Sequence, residues 1–235
     1  MKIKALFRDT TFMPKDFDRA LRRIGNIILG LPDENHSTHW YAQGYTVEEA
    51  LLYRAYVDGA PSKAILAVLT QEYKNKISDV ASIGLWNSIE NHDHGATVAC
   101  HWGPITRHAT FELDLGTAYI RSVESVIAII QRIVNEFQPI YVTVYPWRYV
   151  EKKVFDDRPG VGWMLYLPKV LTVQQVPEAH ALIPIPEAGK RQVGTLIVSE
   201  IDEVFSLDNP THVLNANQIE IRLVDQDLLP LYAEI

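Results

Sequence analysis

Pro159-Gly160-Val161-Gly162-Trp163-Met164-Leu165-Tyr166-Leu167-Pro168 is the most apolar short run of the chain, bounded by Pro-Gly and by Pro. A run of this kind between breakers reads as a strand packed into the core. Gly160 and Gly162 then serve the turn into the sheet, and Trp163 fills the core. The two glycines are not a phosphate loop, because the third glycine and the following helix are both missing.

On the C-terminal side lies a loop-rich segment with Pro177, Pro184 and Pro186, then Lys190-Arg191 as a hairpin tip. Residues 194–199 read as another strand. Asn209-Pro210 is a helix entry, Asn as N-cap and Pro at the first helical position. Residues 219–223 alternate like a strand, whereas Val213, Leu214, Ile221, Val224 and Leu228 share a helical arc. The cap decides for helix.

On the N-terminal side, residues 140–145 are β-branched and aromatic, hence a strand. A charged helical turn at Glu151-Lys152-Lys153 separates it from the Trp163 stretch. Residues 122–137 form the clearest helix, with Val123, Val126, Ile127, Ile130, Ile133, Val134 and Phe137 on one stripe. Before it, 80–87, 96–102 and 109–115 read as an antiparallel meander joined by turn-forming residues. Thr46 and Glu49 form a capping box that starts a helix over 47–57, and Ser62 caps another to Tyr73. Residues 3–7 suggest a first strand. A helix then starts near Pro14 and Asp16, buries Phe17, Leu21, Ile24 and Ile28, and ends at Gly30 and Pro32. The expected fold is α+β, a mostly antiparallel sheet with helices packed against it, in a single domain over 1–235.

The chain has 235 residues, of which 47% are hydrophobic and 22% charged, so it is neither a disordered tail nor a coiled coil. No apolar run approaches the ~20 residues needed to cross a bilayer. The N-terminus has no signal-peptide core, and the single cysteine, Cys100, forms no internal disulfide. A cytoplasmic location is the expectation. The net charge of −7 is concentrated. Residues 199–235 hold eight acids and one base, Arg222, which accounts for the whole excess. That argues against nucleic acid as partner, since phosphate backbones need clustered Lys and Arg. Two readings of the charge remain: a solvated face kept for solubility, or a surface that draws in a basic partner.

No catalytic motif stands out. His92, His94, Cys100 and His101 have the right donors for zinc but the wrong spacing. Adjacent Cys100 and His101 point to opposite faces of a strand, so His101 cannot activate Cys100, although His92, His94 or His108 could if the fold brought one near. A small metal- or thiol-dependent hydrolase using this region is the alternative reading. The plainer one is a polar turn and a half-buried strand, with no metal and no cofactor. Trp40, Tyr41 and Tyr45 suit either core packing or a binding surface.

Three segments carry a family resemblance: Trp40-Tyr41-Ala42-Gln43-Gly44-Tyr45-Thr46-Val47-Glu48-Glu49-Ala50; Gly160 to Pro168 with Val176-Pro177 after it; and Ala216-Asn217-Gln218-Ile219-Glu220-Ile221-Arg222-Leu223 leading into Leu228-Leu229-Pro230-Leu231. In this order they resemble the immunity protein 52 family of bacterial polymorphic-toxin systems, over about residues 38–232. The resemblance implies a non-enzymatic cytoplasmic protein that binds and neutralises a cognate toxin. It implies a nuclease of restriction-endonuclease type as that toxin, delivered by a specialised route such as type VI secretion. It carries over no catalytic residue. The acidic segment then becomes the expected contact surface, through Glu200, Asp202, Glu203 and Asp208, with exposed aromatics as anchors.

Overall fold

A computed structural model describes residues 1–9, 11–31, 39–44, 46–75, 80–103, 108–186 and 191–235. Its elements in chain order are β1 (Lys2–Phe7), α1 (Phe17–Ile28), β2 (Tyr41–Ala42), α2 (Val47–Ala50), β3 (Tyr56–Val57), β4 (Ala60–Pro61) and α3 (Lys63–Tyr73). The meander β5 (Ala81–Trp86), β6 (Ala96–Trp102) and β7 (Ala109–Leu115) follows, then α4 (Val123–Phe137) and β8 (Tyr141–Tyr145). A 3-10 turn, η (Trp147–Glu151), leads to β9 (Met164–Leu167), β10 (Ala181–Ile185), β11 (Gly194–Val198) and α5 (Pro210–Asp225). The fold is α+β with antiparallel strand pairing, as the sequence suggests. The chain forms two compact units, neither a continuous stretch of chain. The first holds Met1–Ala5, Ile120–Gln131 and Pro139–Ile235, and the second Leu6–Tyr119 and Arg132–Gln138.

In the second unit the strands run β7-β6-β5-β2. Their registers place Ile83, Cys100 and Phe111 side by side. Alternation then follows from the pleat: Val98, Cys100 and Trp102 are buried, whereas Thr97 and His101 are exposed. Helix α1 buries Phe17, Leu21, Ile24 and Ile28, the face its spacing predicts. Phe7, Phe12, Phe17, Trp102, Phe111 and Phe137 form a chain of ring contacts with centroids 4.5–6.5 Å apart. The Arg23 guanidinium sits over Phe137, 4.5 Å from its centroid.

The expected helix over 47–57 is cut short at Ala50. Thr46 does cap it, its Oγ accepting from the Glu49 amide at 3.2 Å. Beyond Leu51 the backbone is claimed by strand pairing instead. Ala42 N–H donates to the Tyr53 carbonyl and Ala55 N–H to the Trp40 carbonyl. Tyr56 and Val57 then pair with Pro61 and Ala60 around Asp58 and Gly59, both at positive φ. Leu51 and Val57 are exposed. Trp40 is core, and Tyr45 lies outside the described residues.

In the first unit the strands run β10-β11-β9-β8. Every residue of β8, β9 and β11 is buried. β10 falls inside the segment read as loop. Pro184 is tolerated there because β10 is the outer strand of this row. Lys190, placed at a hairpin tip from sequence, lies outside the described residues. The Trp163 stretch enters the sheet as expected. Trp163 is fully buried, its amide donates to the Val144 carbonyl, and its carbonyl accepts from Ser199 N–H. Gly162 has φ +56, and a Cβ there would lie 2.7 Å from the Val144 carbonyl oxygen. Only glycine fits that approach. Helix α5 starts at Pro210 with Asn209 as cap, its Oδ1 accepting from the Thr211 amide at 3.0 Å.

Candidate functional site

Helix α5 buries a carboxylate, and this joins two of the stretches that carry the resemblance. Glu220 is 1% exposed. Its Oε1 accepts from the Tyr149 hydroxyl at 2.7 Å and the Val161 amide at 2.9 Å; its Oε2 accepts from the Val154 amide at 2.7 Å. Burial pushes this carboxyl above the usual range, against the pull of those three donors. A Cβ at Gly160 would come within 2.9 Å of the Tyr149 ring and 3.2 Å of Glu220 Oε1. The glycines before Trp163 therefore make room for a hydrogen-bonded scaffold, and no ligand is needed to explain them.

The acidic segment leaves β11 along this scaffold. Trp163 Nε1 donates to the Glu200 carbonyl at 2.7 Å, and Ser199 Oγ to the Gly162 carbonyl at 2.7 Å. The four acids expected at the surface then divide. Glu200 is turned inward and 6% exposed. Its Oε1 accepts from the Asp202 amide at 2.9 Å and faces His180 Nδ1 at 3.5 Å, while its Oε2 is 3.5 Å from His212 Nε2. A carboxylate so placed is support for the loop and corrects the expectation of an exposed contact. Asp202, Glu203 and Asp208 are exposed.

His212, in the first turn of α5, holds the loop in shape. Its buried ring accepts from the Ser206 amide at Nδ1, 3.0 Å, which assigns the proton to Nε2. Nε2 then donates to Glu203 Oε1 at 2.9 Å. Phe205 is buried against the His212 ring and stands edge-on to Tyr149, with centroids 5.6 Å apart. Arg222, the only base of residues 199–235, is engaged by Glu178, at 2.9 Å from its Nε. It is therefore not spent on the loop carboxylates.

Opposite the loop runs the 3-10 turn η. Residues three apart share a face in such a turn. Tyr149 points in, Arg148 and Glu151 pair at 3.1 Å, and Trp147 and Val150 stand outward. Trp147 is 73% exposed and Val150 51%. A groove of about 520 Å³ lies between the two elements, lined on one side by Pro146, Arg148, Glu151 and Lys152 and on the other by residues 205–208. Nothing in the sequence marked Glu220, His212 or Trp147 individually. A 3-residue period after Pro146 was the one available signal for the outward pair.

The His92, His94, Cys100 and His101 region does not converge. His92 and His94 lie in an exposed turn. Cys100 is fully buried, and burial pushes its thiol up to about 12, which leaves it a thiol and not a nucleophile near neutral pH. His101 is on the opposite, exposed face. His108 accepts from Arg8 Nε at 2.9 Å. Among the described residues no group of three His, Cys, Asp or Glu side chains is arranged to hold a metal ion, and no helix is long and apolar enough to cross a membrane.

No curated protein matches the chain. Among solved structures, the fold is similar to that of a Pseudomonas aeruginosa T6SS protein, PA0821, with a TM-score of 0.51 and 11% identity over 95% of this chain and 72% of that one. The family model described as Immunity protein 52 matches residues 18–231, a span that includes the Glu220 scaffold, the acidic loop and the 3-10 turn. With nearly all of its length matched, this chain belongs to the Immunity protein 52 family.

Proposed function

We propose that this protein neutralises one cognate bacterial toxin by forming a stoichiometric complex with it, and that the toxin is a nuclease effector. The carrying observation is the family match over residues 18–231. The similarity in fold to a protein described as belonging to a T6SS supports type VI secretion as the delivery route. A nuclease offers a basic groove to phosphate backbones. Asp202, Glu203 and Asp208, exposed on a pinned loop whose own sequence carries no Lys or Arg, suit such a surface. The protein acts without cofactor in the cytoplasm, where an antidote against a nuclease is needed, and it binds no nucleic acid itself. The hydrolase alternative gains nothing from a buried Cys100 facing away from His101.

The test is co-expression with the toxin encoded beside this gene. The expected outcome is rescue of growth, a 1:1 complex on co-purification, and nucleic-acid cleavage that stops at one equivalent of this protein. Undiminished cleavage at a tenfold excess rejects the proposal.

A further inference from the structure

The exposed Trp147 has no place in the scaffold described above. Tryptophan is rarely so accessible, and its indole is costly to leave in water. Its partner within its own unit is the Lys2 ammonium, 5.3 Å from the ring centroid. Val150 continues the same outward face. The ridge is also stiff. Pro146 precedes it, Tyr149 N–H donates to the Pro146 carbonyl, and the Tyr149 hydroxyl is tied to Glu220. An aromatic held in advance loses little freedom on binding, which is the property of an interface anchor.

The groove beside this ridge has a second rim of opposite character. Asp208 lines it, and Asp202 and Glu203 are exposed on the same loop. No base occurs between Ser199 and Thr211. On the ridge side, Arg148 is paired with Glu151, so among the described residues lining the groove Lys152 is the charge without an ion-pair partner. The rims share one support, because Phe205 under the loop packs on Tyr149 under the ridge. The groove is therefore polar across its width and rigid along both edges.

We propose that this groove and the exposed ridge beside it together form the toxin-docking surface, with Trp147 and Val150, which stand outside the groove's lining, as the apolar anchor and the loop carboxylates as the guide for basic side chains. The inference rests on the immunity reading and adds to it which face is used. The occupant is a protein surface of the cognate toxin that presents Arg or Lys beside an apolar recess. The recess takes the indole, and the bases face Asp202, Glu203 and Asp208. Charge reversal on the loop then lowers association and its salt dependence, whereas loss of the indole acts on dissociation.

The experiment is a binding titration against the catalytically inactivated product of the adjacent toxin gene. Trp147→Ala is expected to weaken binding by ~30-fold or more, and Asp208→Lys by ~10-fold with a flatter dependence on salt. Leu52→Ser, at an exposed apolar position in the other unit, serves as control and is expected to stay within about twofold of wild type. Thermal midpoints verify that all variants are folded. If wild type binds the toxin but Trp147→Ala binds equally well, the surface is wrong while the immunity reading stands. If wild type does not bind, the immunity reading itself fails. A change in the oligomeric state of Trp147→Ala alone, with toxin affinity intact, assigns the ridge to contact between copies and also overturns the proposal.

Discussion

The two units hold an inward carboxylate by different means, one partly buried and one fully buried. In the second, Asp9 is joined to Arg23, with Nη1 to Oδ2 at 2.6 Å, and the same guanidinium donates through Nε to the Glu136 carbonyl at 3.0 Å. Thr11 adds its amide and hydroxyl to Asp9 Oδ1. In the first, Glu220 is satisfied by a hydroxyl and two backbone amides, and Lys153 acts on it only through its field, without a hydrogen-bonded ion pair among the described residues. Glu200, also inward, faces two imidazoles. The difference bears on function. Two of the eight acids in residues 199–235 are scaffold, so the charge offered to a partner is smaller than the sequence count, and half of what remains lies on the loop.

Glu220→Ala breaks the comparison at its strongest point. It strands three donors, two of them buried, and the Val154 and Val161 amides cannot turn away. The expected loss is about 3–5 kcal/mol, or a fall of roughly 10 °C in thermal midpoint for a chain of this size. A loss under ~1 kcal/mol in denaturant titration shows that the network is not under tension from burial. Arg23→Met keeps much of the packing on Phe137 but leaves the partly buried Asp9 with only Arg19, at 3.5 Å, and the Thr11 donors, with an expected loss of about 1–2 kcal/mol. Adding Asp9→Asn to Arg23→Met is expected to cost little more, because one interaction is being removed twice. Full additivity of the two losses means that the pair is not coupled.

What could be read in advance follows the range of the interactions. The Trp163 strand, the meander and the amphipathic faces of α1 and α4 are local patterns, and they are legible as such. The cap at Asn209 resolved a stretch whose alternation resembles a strand. The helix expected over 47–57 failed because Tyr53 and Ala55 bond to Ala42 and Trp40, partners that no window of periodicity contains. Glu200 read as surface because burial there depends on His180 and His212, each more than ten residues away. Glu220 was hidden for the same reason, since its donors are near residues 149–161. Trp147 was visible as a residue but not as exposed, which depends on where Tyr149 is tied.

The smallest effect gives the sharpest contrast, because it predicts opposite signs. Burial raises the Glu220 carboxyl, so its folded form holds a proton at pH values where an unfolded chain has released it. Stability from this group is complete below the usual glutamate range and is lost as pH rises through the folded value. Asp9 behaves the other way. Burial alone would raise it, but the Thr11 hydroxyl and amide and the Arg23 guanidinium outweigh that and hold it low. Its contribution is complete above the usual aspartate range and is lost as pH falls through the lowered value. Urea titrations between about pH 3 and about pH 8 separate the two. Relative to wild type, Asp9→Asn should be most destabilised near neutrality and converge with wild type in acid. Glu220→Gln should gain on wild type as pH rises. Parallel trends for the two variants would mean that the three donors around Glu220 outweigh its burial, and that both units hold their inward carboxylates ionised.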